Sequence, residues 1–313
     1  MGPGSLRVLS HVPVAILKRA EQELSGVELI GVPGEGEIPP PVAGEALLTY
    51  TWGAANLKDV VERGVRWIHA FGTGVDRFPF DALGDRILTC SRGASDVPIS
   101  EWVLAVMLAF EKRLPSAWVR EPPERWNFAD LGGLHGRTLG LVGLGGIGSA
   151  VASRALPFGM RVRALRRTPR TSPIPGVEMA RDLDDLLESA DHLVLAASAT
   201  AATRHLIDRS SLKCVKRGVH LVNIARGSLV DQEALREALD DDRVALASLD
   251  TVDPEPLPAG HWLYTHPKVR VSPHTSWSMP GAIDRLLDPF IANLRRFQAG
   301  EALAGVVDPE AGY

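Results

Sequence analysis

Short apolar segments alternate with helical ones in two series, and this alternation limits the possible folds more than any other feature. In the first third, helix-like stretches such as "VAILKRAEQEL" and "ANLKDVVERG" separate strand-like runs. These runs are "RVLS", "VELIGV", "ALLTY", "VRWIHAF" and "RILTC". A second series starts at Thr138 and ends with "VRVSPH". Because strands that alternate with helices form parallel sheets, the sequence predicts an α/β protein with two doubly wound sheets.

The second series opens with a glycine-rich turn, "TLGLVGLGGIGSAVASRALPF". Gly143, Gly145 and Gly148 fit the pattern G-x-G-x-x-G between a predicted strand and a predicted helix. In such a loop the first glycine permits a tight turn, the second lets a pyrophosphate approach, and the third lets helix and strand pack closely. The helix N-terminus then offers N–H groups to the phosphates. This context favours a dinucleotide-binding loop over a simple tight turn.

Cations follow the next predicted strand, where a dinucleotide-binding unit usually has a ribose-binding carboxylate. The positions are Arg166, Arg167 and Thr168. Two guanidinium groups attract a 2′-phosphate, and a charge-assisted hydrogen bond contributes roughly 1.5–3 kcal/mol. The sequence therefore favours NADP(H) over NAD(H) as the cofactor. The alternative is that these arginines form only a solvated strand end.

The chain length of 313 residues suits two domains. We predict a flavodoxin-like substrate domain at 1–97 and 276–313, with a Rossmann nucleotide-binding domain inserted at 98–275. The long helix "PISEWVLAVMLAFEKRL" follows the first series, with Pro98 in its first turn. Asp182 and Asp231 are expected to cap later helices. The final helix, beyond Trp277, is expected to pack back on the first domain.

Composition and charge exclude several classes of partner. The net charge is −4 and the pI is near 6.2, so neither nucleic acid nor a membrane surface is an expected partner. The stretch "WVLAVMLAF" is too short to span a bilayer, and the start "MGPGS" does not resemble a signal peptide. Cys90 and Cys214 are expected to be reduced core residues, and no metal-ligand spacing occurs. We expect a cytoplasmic protein without a metal.

Three polar side chains stand near the ends of predicted strands in the second series. Arg226 lies between "HLVNIA" and a capped helix, and its guanidinium could bind a carboxylate through two parallel hydrogen bonds. Glu255 lies between two prolines, which restrict its backbone. His274 follows the last apolar strand. Taken singly, they could be a surface arginine, an acidic loop residue and a histidine bonded to backbone.

These segments in this order resemble the D-isomer-specific 2-hydroxy-acid dehydrogenase family, most of all its glyoxylate/hydroxypyruvate reductases. The similar stretches are "TLGLVGLGGIGSAVASRALPFGM", "LVNIARGSLVDQEALREAL", "LASLDTVDPEPLP", "VRVSPHTSW", "FGTGVD" and "ISEWVLAVMLA". The resemblance therefore covers nearly the whole chain. It implies that Arg226 binds the substrate carboxylate and polarises its carbonyl, that His274 is the acid/base, and that Glu255 orients His274.

The resemblance also implies further binding residues and a partner. The substrate carboxylate would be held by backbone amides of Gly72, Thr73, Gly74 and Val75. Further cofactor contacts are implied for Gly146, Ile147, Ala225 and Asp250. Trp277 is a candidate for the wall of the substrate pocket, although aromatic packing explains it equally well. A homodimer is implied, with the Trp- and Pro-rich arm at 115–135 around the partner.

The expected function is NADP(H)-dependent reduction of small 2-keto acids, such as glyoxylate or hydroxypyruvate, to D-2-hydroxy acids. Two alternatives stay open: a nucleotide-sensing regulator of the same fold, and a dehydrogenase of formate or phosphite. The turn "AASATAATRHL" lacks the proline usual in the family, so no adenosine contact is assigned to Ser198 or Thr200. His192 and His220 are expected to belong to no constellation of functional groups.

Overall fold

The computed structural model describes residues 5–168 and 171–313. Contacts divide the chain into two compact units. The first is the chain up to Ser95 with Met279–Tyr313, and the second is Asp96–Ser278. The sequence places these junctions at 97/98 and 275/276. No helix in the described part of the chain has both the length and the apolar character needed to cross a membrane.

Strands and helices alternate in chain order in both units. The strands are β1 (Leu6–Ser10), β2 (Val27–Gly31), β3 (Ala46–Tyr50), β4 (Trp67–Phe71), β5 (Ile87–Cys90), β6 (Thr138–Val142), β7 (Arg161–Leu165), β8 (Val177–Met179), β9 (His192–Leu195), β10 (Val219–Asn223), β11 (Val244–Leu249) and β12 (Val269–Val271). The α-helices are α1 (Lys18–Glu23), α2 (Leu57–Val61), α3 (Asp96–Glu111), α4 (Gly146–Ala155), α5 (Leu183–Ser189), α6 (Ser211–Cys214), α7 (Gln232–Asp240) and α8 (Ala282–Ala299). Short 3-10 turns lie at Val14–Leu17, Phe80–Ala82, Leu156–Phe158, Ala201–Thr203, Gly227–Leu229 and Trp262–Tyr264.

The first unit contains a parallel five-stranded sheet in the order β2-β1-β3-β4-β5, which is the flavodoxin-like order. The C-terminal helix α8 packs on this sheet. Leu287, Phe290 and Leu294 share a buried cluster with Trp67 of β4, and the rings of Phe290 and Trp67 lie 5.7 Å apart. The predicted return of the last helix to the first sheet is confirmed.

The second unit contains a parallel seven-stranded sheet in the order β12-β11-β10-β9-β6-β7-β8. From β8 to β11 this is the Rossmann order 3-2-1-4-5-6, extended by β12. The prediction of two parallel-sheet α/β domains is therefore confirmed. Strand β8 was not predicted from the sequence, whereas β12, which is equally short, was predicted as part of the longer segment "VRVSPH".

Local signals in the sequence set the ends of several helices. The side chain of Asp182 accepts a hydrogen bond from the Asp185 N–H, and Asp231 accepts two from backbone N–H groups at the start of α7. Both predicted caps are confirmed. Helix α3 begins at Asp96, so that Pro98 lies in its first turn as predicted.

The segment 112–135 between α3 and β6 contains neither helix nor strand. Its base is closed by two bonds: the Gly132 N–H donates to the Glu111 carbonyl (2.9 Å), and Lys112 Nζ donates to the Gly132 carbonyl (2.6 Å). Its exposed aromatic side chains are Trp118, Trp126 and Phe128. The segment thus has the irregular, aromatic-rich character that the sequence suggested.

The two cysteines differ in burial. Cys90, at the end of β5, is buried as predicted. Cys214 is only half-buried, so the prediction that it is a core residue is wrong. The physical reason is that α6 has four residues and Cys214 is its last, which places the thiol at the edge of the core rather than within it.

Candidate active site

The glycine loop follows β6 and has the geometry that its sequence requires. Gly143 has φ +102°, and a Cβ there would lie 2.7 Å from the Ala196 carbonyl oxygen. A Cβ on Gly148 would lie 2.2 Å from the Gly143 carbonyl oxygen. Neither position can take a larger residue without a local shift. Gly145 differs, since a Cβ there would meet no described atom within 4 Å.

The open side of Gly145 lies at the N-terminus of α4. Gly145 precedes the helix, which starts at Gly146 and continues through Ile147. The first turn of a helix has N–H groups without intrahelical acceptors, and the helix dipole favours an anion there. Open space beside Gly145 and free donors at the helix start suit the pyrophosphate of a dinucleotide.

The arginines on which the prediction of NADP(H) is based lie beside this loop. Strand β7 pairs with β6 so that Leu165 is opposite Val142, and the Gly143 N–H donates to the Leu165 carbonyl (2.9 Å). Arg166 follows directly and is half-buried. Arg167 and Thr168 are exposed. All three therefore follow the strand next to the glycine loop, at the same edge of the sheet.

Arg226 lies just beyond β10 on a closely packed turn. Asn223, the last residue of that strand, donates from Nδ2 to the Arg226 carbonyl (2.9 Å), while Arg226 Nη1 donates to the Ala225 carbonyl (2.8 Å). A Cβ on Gly227 would lie 1.9 Å from the backbone carbon of Val252. The turn that carries Arg226 therefore lies against the chain that leads from β11 to Glu255.

His274 and Glu255 form a side-chain pair in which His274 Nδ1 lies 2.9 Å from Glu255 Oε1. The side chains are 39% and 23% exposed. The backbone of His274 is left-handed, with φ +53°, a conformation uncommon for residues other than glycine. The Trp277 Nε1–H donates to the His274 carbonyl (3.0 Å), so Trp277 supports the same turn. Left-handed backbone at a polar edge is typical of functional sites.

Asp250 holds the turn that carries His274. This buried carboxylate accepts hydrogen bonds from Ser272 Oγ (2.5 Å), the Thr275 N–H (2.9 Å) and the Ser276 N–H (3.0 Å). In addition, the His274 N–H donates to the Asp250 carbonyl (3.0 Å). Sequence reasoning assigned Asp250 to the cofactor and missed this anchoring, because its partners lie more than 20 residues away. The cofactor contact stays a prediction.

The parallel sheet brings the candidate residues of the second unit to one edge. Strands β10, β11 and β12 are neighbours, with Asn223 opposite Leu249 and Leu249 opposite Val271. Arg226 lies three residues after the end of β10, and His274 lies three residues after the end of β12. Because ligands of open α/β sheets bind at the carboxyl ends of the strands, this edge is the candidate active site.

The residues predicted to hold the substrate carboxylate belong to the first unit. Gly72 follows β4 with φ +143°, and a Cβ there would lie 2.7 Å from Thr51 Cγ2. The Gly72 N–H donates to Ser91 Oγ (3.3 Å), and Thr73 Oγ1 donates to the Ser91 carbonyl (3.3 Å). Gly74 is half-exposed and Val75 is buried. The segment is a compact turn at a carboxyl end, and its role toward substrate stays a prediction.

His192 and His220 are buried structural residues, as expected, but they are not isolated: the sequence did not reveal the hydrogen bonds that link them. Their Nδ1 atoms lie 3.2 Å apart, His192 Nε2 lies 3.1 Å from Glu111 Oε1, and His220 Nε2 lies 2.9 Å from Ser248 Oγ. Burial, with a smaller effect from His192, holds the pKa of His220 well below its usual value. Sequence reasoning missed this chain of bonds because it joins residues from α3, β9, β10 and β11.

No group of three or more metal-ligating side chains is found in residues 5–168 and 171–313. The candidate active site consists of the glycine loop, the arginines and the His274–Glu255 pair.

Comparison with known proteins places the chain in a family. The family model "D-isomer specific 2-hydroxyacid dehydrogenase, NAD binding domain" matches residues 104–276. A glyoxylate reductase of Korarchaeum cryptofilum is 35% identical over 259 residues, which cover 79% of this chain and 77% of that protein. A D-3-phosphoglycerate dehydrogenase of Methanocaldococcus jannaschii is 29% identical over 92% of this chain, which spans only 56% of that relative's length.

A solved structure agrees in fold. The D-isomer specific 2-hydroxyacid dehydrogenase of Xanthobacter autotrophicus, in complex with NADPH and MES, is 26% identical with a TM-score of 0.87. The match covers 99% of this chain and 100% of that one. The resemblance seen in the sequence is thereby confirmed. This chain belongs to the D-isomer specific 2-hydroxyacid dehydrogenase family, and its second unit contains the family's NAD-binding domain.

Proposed function

We propose that this protein reduces small 2-keto acids to D-2-hydroxy acids with NADP(H). One observation carries the proposal: an imidazole and a carboxylate are paired at 2.9 Å at the carboxyl edge of the nucleotide-binding unit, on the same edge as the glycine loop. Glyoxylate and hydroxypyruvate are the leading substrates. The glyoxylate reductase relative supports this choice.

The His274–Glu255 pair suits proton transfer. When His274 Nδ1–H donates to Glu255, the tautomer and the direction of the ring are fixed, and Nε2 is left to exchange a proton with substrate. A reduced nicotinamide, when bound, would supply the hydride for the carbonyl carbon. His274 donates its Nε2 proton to the oxygen as charge develops there, and Arg226 binds the carboxylate and stabilises the same charge.

The cofactor would bind through residues of the second unit. The open side of Gly145 and the start of α4 suit the pyrophosphate, and Arg166, Arg167 and Thr168 suit a 2′-phosphate. The NADPH in the Xanthobacter autotrophicus structure supports this preference. The cofactor is expected to lie along the carboxyl edge, with Ala225 and Asp250 at its nicotinamide end.

A substrate panel tests the activity. Glyoxylate, hydroxypyruvate, pyruvate and the keto acid of 3-phosphoglycerate are supplied with NADPH and separately with NADH, while formate and phosphite are supplied with NADP⁺. The proposal requires turnover of a small 2-keto acid with NADPH. Cofactor binding without turnover would instead identify a nucleotide-sensing regulator, and oxidation of formate or phosphite alone would identify the other alternative.

The arginine hypothesis has its own test. The double variant Arg166→Ala/Arg167→Ala is expected to lower the ratio of kcat/KM for NADPH to that for NADH by about ten- to a hundredfold, because charge-assisted bonds to the 2′-phosphate are lost. Arg161→Ala, an exposed arginine at the other end of β7, is the matched control. An unchanged ratio in the double variant would refute the assignment.

We also propose a homodimer and a cytoplasmic location. The exposed Trp118, Trp126 and Phe128 on the segment 112–135 support a partner contact, since exposed aromatic clusters usually mark interfaces. Light scattering of the purified protein is expected to give twice the chain mass of 33.7 kDa. A monomer at micromolar concentration would contradict the dimer and leave the proposed reaction intact.

A further inference from the structure

One carboxylate lies directly against the glycine loop. Asp96 is the first residue of α3, and its side chain faces Gly146, the first residue of α4. A Cβ on Gly146 would lie 2.4 Å from Asp96 Oδ2 and 3.0 Å from Oδ1. Both oxygens therefore contact the glycine loop where α4 starts. Both residues belong to the second unit.

The Asp96 side chain makes no hydrogen bond or ion pair with any residue that the structure describes. Burial raises the pKa of its carboxyl group above the ordinary value. The two helices that meet at Asp96 place no cation beside it. The one basic residue of α4, Arg154, lies at the far end of that helix, and α3 has no basic residue, only Glu101 and Glu111 farther along. Arg92, in the turn before α3, is exposed. The favourable charges near Asp96 are the N-terminal ends of the two helices.

The same helix end suits the pyrophosphate of a dinucleotide, which is also an anion. An ionised Asp96 and a bound pyrophosphate would repel each other across a partly buried space, where charges are screened less than in water. A proton on Asp96 removes this repulsion. Asp96 is not among the residues predicted to bind the cofactor. When it is ionised, its negative charge competes with the pyrophosphate at the start of α4.

We propose that Asp96 makes nucleotide affinity depend on pH, and that the protein takes up about one proton from solvent onto the Asp96 carboxyl group when a dinucleotide binds. The sign follows from linkage. The bound anion favours protonated Asp96, so affinity is highest in acid and falls as pH rises through the range in which Asp96 ionises. Each unit by which binding raises the pKa of Asp96 weakens binding at high pH by tenfold.

The test uses ADP-ribose as the probe. This molecule has the pyrophosphate but neither the nicotinamide, which would lie near His274, nor the 2′-phosphate, which itself titrates near pH 6. Its Kd is measured by calorimetry between about pH 5 and pH 8.5, in two buffers of different ionisation enthalpy. The wild-type protein is expected to bind about tenfold more weakly at the high end, and to take up protons on binding in the pH range over which the affinity falls.

The variant Asp96→Asn removes the charge and keeps the shape. It is expected to bind ADP-ribose about tenfold more tightly than wild type near pH 8.5, with no dependence on pH and no proton uptake. Asp96→Ser, which removes the charge with a smaller polar side chain, should behave in the same way. Glu101→Gln is the matched control, and it should retain the wild-type dependence.

Three outcomes would overturn the proposal: the same pH profile in wild type and Asp96→Asn, weaker binding in both Asp96 variants, or no proton uptake by the wild type. Failure of wild-type ADP-ribose binding at every pH would also reject it, together with the nucleotide role of the glycine loop. The proposal does not depend on the keto-acid substrate, so a negative substrate panel leaves it standing.

Discussion

Two histidine–carboxylate pairs of the nucleotide-binding unit differ mainly in their surroundings. His274 and Glu255 lie 2.9 Å apart at the carboxyl edge of the sheet, and their side chains are 39% and 23% exposed. His192 and Glu111 lie 3.1 Å apart near the amino ends of β9 and β10, and theirs are 0% and 4% exposed. The same two groups can therefore serve either chemistry or stability, according to their place on the sheet.

Both ring nitrogens of His192 and His220 in the buried cluster have hydrogen-bond partners. A consistent set of bonds runs from Ser248 O–H to His220 Nε2, from His220 Nδ1–H to His192 Nδ1, and from His192 Nε2–H to Glu111. Both rings can then stay neutral while the carboxylate is ionised. At the other edge, His274 Nε2 has no partner among residues 5–168 and 171–313. A spare ring nitrogen at a strand end is what substrate chemistry requires.

The largest expected effect is on catalysis at the exposed pair. His274→Asn should lower kcat/KM for a 2-keto acid by roughly 10²–10⁴-fold, because general acid–base catalysis is lost, while NADPH binding stays within about threefold. Asparagine tolerates the left-handed backbone at this position, so the fold should be kept. His205→Asn, at an exposed residue with φ +51°, is the control. Wild-type kcat/KM in His274→Asn would remove His274 from the mechanism.

Breaking the buried pair should affect stability instead. Glu111→Ala should lower the free energy of unfolding by about 1–3 kcal/mol, because it leaves the buried His192 Nε2–H without its acceptor. Urea unfolding measures this change, and kcat of the folded protein at low temperature should stay near wild type. Glu255→Ala is the counterpart at the exposed pair. It should lose much of its kcat and change little in its free energy of unfolding. A reversal of these two results would refute the comparison.

Two glycines sharpen the comparison within the glycine loop. Gly145→Ala places its methyl group in open space, so stability should change by less than about 1 kcal/mol, while nucleotide Kd rises at least about tenfold. Gly148→Ala places a methyl group against the Gly143 carbonyl and should cost about 1–3 kcal/mol of stability. Fluorescence titration and thermal unfolding distinguish the two. Unchanged NADPH binding in Gly145→Ala would argue against a pyrophosphate at this position.

The smallest effect is the dependence of stability on pH. His220 is neutral in the folded protein because its pKa lies well below the usual 6.5, so the unfolded chain binds more protons in acid. Stability from this group is present above about pH 6.5 and falls by up to about 1.4 kcal/mol for each unit below it. Glu111 adds no slope there: burial is the largest effect and raises its pKa, but the hydrogen bond from His192 and the neighbouring charges, Arg137 among them, together keep the pKa low.

The variant His220→Gln should therefore show a shallower decline of unfolding free energy than wild type between about pH 6.5 and pH 5. His205→Asn, whose ring is exposed, should decline in parallel with wild type. Parallel curves for His220→Gln and wild type would mean that His220 already titrates in the folded protein.

Much of the second unit could be predicted from the sequence because its signals are local. Strand–helix alternation predicted both sheets, and Asp182 and Asp231 marked helix starts within a few residues of their bonding partners. The glycine spacing predicted the loop after β6. Strand β8 was missed because its three residues show no period, and the equally short β12 was predicted only as part of the longer segment "VRVSPH".

The sequence by itself therefore determined the parallel α/β architecture and the residues at strand ends, since alternation and turn chemistry act over short distances along the chain. Only the tertiary structure decided which of those residues meet. Glu111 and His192 are 81 residues apart, and Asp96 and Gly146 are 50 apart. Burial, pairing and the charge around a carboxylate depend on packing between distant segments, and no local pattern in the sequence records them.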